Sequence, residues 1–221
     1  ERPVALLCPP RDQLEKGATY AAEQERADVR AAREAWFEAQ PELDPDRLVF
    51  LDETAAATNM ARRYGWAPRG ERCRLAAPQG HYKTTTVTAA LRTSGLCATA
   101  LLDGPTNGRH FCSYVTETLI PVLHPGDIVV MDNLPAHKVA GVREAIEAAG
   151  ARLLYLPSYS PDFNPIEQAF AKLKALLRSA AARTIPDLWP AIRQAFTRFT
   201  PQECRNYLAA AGYEDDLAVA T

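Results

Sequence analysis

Residues 127–133 read DIVVMDN, and residues 47–53 read RLVFLDE. Each is a short apolar run closed by an acid, the pattern of a buried strand that ends at the rim of an open sheet. Strand one is placed over Leu48 to Leu51, with Asp52 at its C-terminal end; Asp132 closes the second strand. Working outward, ARLLYLP (151–157) is a further buried strand, and HKVAGVREAIEAAG (137–150) between the two is a helix with Gly150 as its C-cap. On the other side, TTTVTAALRTSGLCATALLDG (84–104) forms two β-rich runs around Thr93-Ser94-Gly95, a hairpin. HFCSYVTETLIPVL (110–123) reads as a helix stopped by His124-Pro125-Gly126. The hairpin is antiparallel and the β-α-β alternation is parallel, so the class is α/β: a mixed five-stranded sheet flanked by helices.

The flanks are helical or irregular. Residues 1–20 are Pro-rich and read as a weakly structured tail. Residues 21–40 read as a helix whose thin apolar side, Val29, Ala32, Trp36 and Phe37, suits packing on a neighbour. Residues 54–83 look loop-rich, an amphipathic helix runs from Pro165 to about Arg183, and two helical segments follow around Pro201. Three regions are expected: a tail and linker helix (1–45), a core (46–183) and a C-terminal helical extension (184–221).

The totals exclude several classes. The net charge of −2 gives no global field that attracts nucleic acid, so any such binding must come from local patches. Five cysteines (Cys8, Cys73, Cys97, Cys112, Cys204) are widely spaced and odd in number, which argues for reduced thiols in a cytosolic protein. No apolar run approaches the roughly 20 residues that span a bilayer, and no secretory signal is read. There is no glycine-rich phosphate loop and no internal repeat.

The acids carry the chemistry. If the two strands are neighbours, their strand-end aspartates lie close enough to repel unless cations bind between them. A third carboxylate, Glu167, lies in SYSPDFNPIEQAFAKLK (158–174), with 34 residues between it and Asp132. Each has an ordinary reading. A lone aspartate after a strand is a turn or cap residue, and Asn164-Pro165-Ile166-Glu167 reads as a capping box. It is the conjunction that points to a divalent-cation site, since Mg²⁺ takes hard oxygen ligands and few carboxylates.

The segments LVFLDET, RRYGWAPRGERCR, DIVVMDNLPAHK and LLYLPSYSPDFNPIEQAFAKLK resemble the catalytic core of mariner-like DDE transposases, in particular their bacterial insertion-sequence branch, from about Asp46 to about Tyr213. The resemblance implies a ribonuclease H-like fold and makes Asp52, Asp132 and Glu167 the catalytic, metal-binding triad for two Mg²⁺ or Mn²⁺ ions. It implies phosphodiester hydrolysis and strand transfer in cut-and-paste movement of an insertion sequence. Its partners would be transposon ends, a short A/T target and a second copy of the chain, with no membrane or small-molecule substrate. The setting would be the bacterial cytoplasm, at the nucleoid when bound to DNA. Full-length relatives carry helix-turn-helix modules before the core; none is read in residues 1–45, so that module is expected on another chain, trimmed or lost.

Around the triad, Arg62, Arg63, Arg69, Arg72, Arg74 and Lys83 interleave with Tyr64, Trp66 and Tyr82, a mixture suited to phosphate contact and base stacking. The alternative is a solvated loop with Trp66 tucked into the core. On the helix after Glu167, Lys172, Lys174 and Arg178 read as DNA-backbone contacts. His137 is expected near the site, touching substrate, supporting a ligand or making a local hydrogen bond. Glu53 is a spare ligand at most, because it points away from Asp52 on a strand. Two further readings stand beside the transposase core: a silent or truncated remnant that binds nucleic acid or a partner, and a structure-selective nuclease.

Overall fold

The computed structural model describes residues 21–214 apart from residues 63, 75 and 79; the tail expected over residues 1–20 and the cation Arg63 lie outside the described residues. Five strands, β1 (Leu48–Ala57), β2 (Thr84–Arg92), β3 (Gly95–Asp103), β4 (Ile128–Met131) and β5 (Arg152–Tyr155), form one sheet in the order β3-β2-β1-β4-β5. The first three pair antiparallel, while β1–β4 and β4–β5 are parallel. Among the described residues, six α-helices surround it: α1 (Ala27–Ala39), α2 (Gly108–Tyr114), α3 (Val142–Ala148), α4 (Ile166–Ala180), α5 (Ile185–Phe196) and α6 (Pro201–Ala210). This is the mixed, helix-flanked sheet that the pattern implies.

Two boundaries near the site differ from the sequence reading, as do the start of α1 at Ala27 and the end of α4 at Ala180. Strand β1 does not stop at Asp52 but runs to Ala57. Its parallel partner β4 ends at the Leu51–Met131 pair, while β2 continues to pair from Asp52–Ala89 to Ala57–Thr84, and one partner is enough to keep the chain extended. The helix expected from His137 begins only at Val142. Gly141 has φ +94°, which breaks helical geometry, and its N–H donates to Glu144 at 2.9 Å as the new start; Pro135–Lys138 is a separate 3₁₀ turn.

Alternation along the strands builds two cores. Leu48, Phe50, Val87, Leu91 and Val130 face α4, α5 and α6, while Val49, Leu51, Val129 and Met131 face α2 and α3. On α4 the buried residues Ile166, Ala169, Phe170, Leu173 and Leu177 form one stripe at helical spacing. Each such leucine contributes about 1.5–3 kcal/mol by leaving water. Leu188 and Ile192 of α5 and Cys204 and Leu208 of α6 lie fully buried in that same cluster, so the C-terminal helices are part of the main core.

A buried ion pair locks the far end of the sheet. Arg92 Nη2 lies 2.6 Å from Asp127 Oδ2 and also donates to the Val122 carbonyl at 3.0 Å. Between β1 and β2, residues 59–82 make a long excursion whose ends are closed by Thr58 N–H to Lys83 O (3.0 Å) and Lys83 N–H to Thr58 Oγ1 (3.1 Å). Arg183 adds a bond to the Met60 carbonyl at 2.7 Å. Among the described residues, no helix is long and apolar enough to cross a membrane.

Candidate active site

The site forms where the sheet divides. Asp52 is the first residue of β1 past its pairing with β4, and Asp132 is the first residue past the end of β4. Neighbouring strands lie roughly 5 Å apart, so the two acids emerge side by side at the switch point of the sheet. Asp52 shares the face of Leu48 and Phe50, on which α4 packs, and this brings in the first turn of α4 with Glu167. Asp52, Asp132, Asn133, Tyr159, Asn164 and Glu167 are among the residues lining one cavity of about 350 Å³. Glu53 sits on the opposite face, where it accepts a long bond from Thr88 Oγ1 at 3.5 Å, as expected of its place on the strand.

The capping box is not formed. No side chain caps α4, and Glu167 N–H reaches only the Asn164 backbone carbonyl, at 3.2 Å. Asn164 instead turns its amide to the site, where Nδ2 donates to Asp52 Oδ2 at 2.8 Å. The Glu53 N–H donates to the other oxygen at 2.7 Å, so both oxygens of Asp52 are held. Asn164 Oδ1 is buried without a hydrogen-bond partner. The sequence reading missed this residue because its cap signature satisfied local rules completely.

Burial pushes the Asp52 carboxyl up to about 7, and the charges of Asp132 and Glu167 push in the same direction. The Glu53 N–H and His137 act against them without prevailing. Such crowding is relieved by a divalent cation, and the donors present are hard carboxylate and amide oxygens. The three carboxylates line the cavity without closing into a ready-made cage: among the described residues, no three or more His, Cys, Asp or Glu side chains are gathered into a preformed metal site.

Asp132 is held from behind. His137 Nδ1 lies 2.5 Å from its Oδ1, an ion pair when the imidazole is protonated. Burial lowers the His137 pKa, but Asp132, with Glu53 and Asp52 behind it, outweighs burial and raises it. His137 is 2% exposed and its ring stacks on Phe111 at 4.3 Å, which removes it from the residues able to touch DNA and leaves it as support for Asp132.

The other expected DNA contacts divide in two. Arg62, Arg69, Arg72, Arg74 and Lys83 are exposed on the 59–82 excursion and its neck, and Trp66 is fully exposed rather than tucked into the core. On α4, Lys174 and Arg178 lie seven and eleven residues from Glu167, hence on its face of the helix. Lys172 is not free for the backbone contact expected of it, since its Nζ is tied to Glu203 at 2.5 Å and to the Arg198 carbonyl at 2.7 Å, over the Phe199 ring. It is a strut between α4 and α6.

Comparison with known proteins gives a family and a fold. A model of the DDE superfamily endonuclease family matches residues 47–188. The Mos1 strand transfer complex is 18% identical with a TM-score of 0.66, over 91% of this chain and 62% of that one. The Mos1 mariner paired end complex with Mn is 17% identical with a TM-score of 0.66, over 92% of this chain and 64% of that one. The Mos1 transposase catalytic domain with raltegravir and Mg is 15% identical with a TM-score of 0.61, over 86% of this chain and 92% of that one. The chain thus spans about six-tenths of the length of the first of these, and at such identities the likeness establishes the fold, which is ribonuclease H-like. No curated protein matches the chain.

Proposed function

This chain belongs to the DDE superfamily endonucleases, and we propose that it is the catalytic core of a DNA transposase, with Asp52, Asp132 and Glu167 as the residues that hold two divalent cations, Mg²⁺ or Mn²⁺. The observation that carries the reading is the meeting of these three acids in one cavity at the point where β4 leaves β1. When bound, the cations would activate water or a DNA 3′-hydroxyl and neutralise the leaving oxygen. The chain's own part is positioning. Asn164 and the Glu53 N–H fix Asp52, His137 backs Asp132, and the first turn of α4 presents Glu167. No protein nucleophile is required.

The partners in this reading are DNA, as transposon ends and target, and a second copy of the chain. The Mos1 structures, described as paired-end and strand transfer complexes, support this by analogy of fold. The exposed cations and aromatics of the 59–82 excursion and the Lys174–Arg178 face of α4 would meet the phosphate backbone. The protein would work in the cytoplasm, at the nucleoid when on DNA.

The deciding experiment incubates supercoiled plasmid and end-bearing oligonucleotides with the protein in Mg²⁺, Mn²⁺ or EDTA. Nicking and end joining that need the cation and vanish in Asp132→Asn support the proposal. Cation-dependent nicking without joining favours a structure-selective nuclease. A protein that binds DNA yet never cuts it is a silent remnant, and the catalytic reading then fails.

A further inference from the structure

The helix α1 lies outside the family match, yet it reaches the loop that lines the cavity. Arg33 Nη1 donates to Ser160 Oγ at 2.8 Å and to Asp162 Oδ1 at 2.9 Å, and Nη2 donates to Asp162 Oδ2 at 2.7 Å. The same guanidinium lies 4.7 Å from the Phe163 ring centroid. Upstream, Gln24 Nε2 donates to the Tyr159 carbonyl at 2.5 Å. Trp36 Nε1 donates to Tyr213 Oη at 3.1 Å, and that hydroxyl donates to the Phe163 carbonyl at 2.9 Å. One residue later, Asn164 bonds Asp52.

The loop has a reason to need this hold. Tyr159 has φ +58°, a left-handed conformation that a bulky residue avoids and keeps only when its surroundings impose it. Ser160 is buried, its Oγ also donating to the Ser158 carbonyl at 3.2 Å. A two-pronged guanidinium on a carboxylate fixes orientation as well as distance, which a lysine ammonium does not.

We infer that Arg33 is a positioning residue: it clamps residues 158–164 in the geometry in which Asn164 reaches Asp52, so that a helix outside the catalytic sheet sets the shape of the cation site. The inference rests on the cation-site reading above, but the clamp itself is measurable without any cation. Hydrogen exchange of the peptide covering residues 158–164 reports the clamp, and titration with Mn²⁺ alone, read by water-proton relaxation, reports the site.

In the full chain, Arg33→Met should speed exchange in residues 158–164 while leaving β1 and β4 protected. It should also weaken Mn²⁺ by about tenfold, the scale of losing a group that orients a metal ligand. Arg33→Lys should recover only part of either, and the charge exchange Arg33→Asp with Asp162→Arg should restore both towards wild type. The inference is overturned if Arg33→Met leaves exchange and Mn²⁺ affinity unchanged, or if the exchanged pair is no better than either single variant. Wild-type protein that binds no Mn²⁺ would remove the cation-site reading, and exchange in residues 158–164 would still decide the clamp.

Discussion

Asn164 donates its side-chain amide to Asp52 Oδ2 at 2.8 Å, joining residues 112 positions apart at the mouth of the sheet. The bond is the second of two that orient a partly buried carboxylate, the Glu53 N–H holding the other oxygen. Asn164→Ala should therefore weaken divalent cation binding by about 10–100-fold, the usual cost of removing a ligand's outer partner. Calorimetric titration with Mn²⁺ measures it, and an unchanged dissociation constant would show that Asp52 needs no such support.

Burial first, and the Asp132 and Glu167 charges next, raise Asp52 to about 7 from the ordinary 3.8. The native chain then keeps a proton that the unfolded chain releases, so stability is full below pH about 4 and is lost as pH rises towards about 7, by at most about 4 kcal/mol. Cation-free wild type should lose this increment over that window relative to Asp52→Asn. Added Mn²⁺ should protect wild type more strongly as pH rises, because it competes with the proton. Urea unfolding at several pH values, with and without Mn²⁺, tests both; parallel wild-type and variant curves would sink the prediction.

Lys174 and Arg178 share the face of Glu167, whereas Lys172 is bound to Glu203. Lys174→Ala and Arg178→Ala should each weaken DNA binding and flatten its salt dependence by up to about 0.9 in the log–log slope. Lys172→Ala should leave the slope alone and lower the melting temperature. A filter-binding series from low to high salt separates the three variants.

The Arg92–Asp127 pair is buried at both ends. Burial pushes the Asp127 carboxyl up, but the hydrogen bonds from Arg92 and the His124 N–H, with the Arg92 charge, hold it below its usual range. Its contribution is present above the unfolded pKa and is lost as pH falls through the folded one. Arg92→Met strands a buried carboxylate and should cost about 3–5 kcal/mol in denaturant unfolding at neutral pH, while Arg92→Met with Asp127→Asn recovers part of it.

That Asp52, Asp132 and Glu167 line one cavity was legible because apolar runs and a motif mark their places locally. Leu48–Leu51 and Ile128–Met131 announce strands, and the acids after them stand at fixed places. What escaped the sequence reading is tertiary. Thr54–Ala57 carries little strand propensity and is extended only because β2 pairs with it. His137 is buried because Phe111, from a distant helix, stacks on it. Asn164 satisfied a cap signature, and nothing local says that its amide turns to Asp52. Arg33 looked like one of many charges on a polar helix, and its partner Asp162 lies 129 positions away.

The neck formed by Thr58, Lys83 and Arg183 has an engineering consequence. Because Thr58 and Lys83 lie side by side and already bonded, replacing residues 61–82 with a tight turn should leave the pairing of β1 with β2 and the Arg183 bonds to Thr58 and Met60 in place. The excursion is thus a detachable module, and removing it isolates what the bare scaffold does unaided.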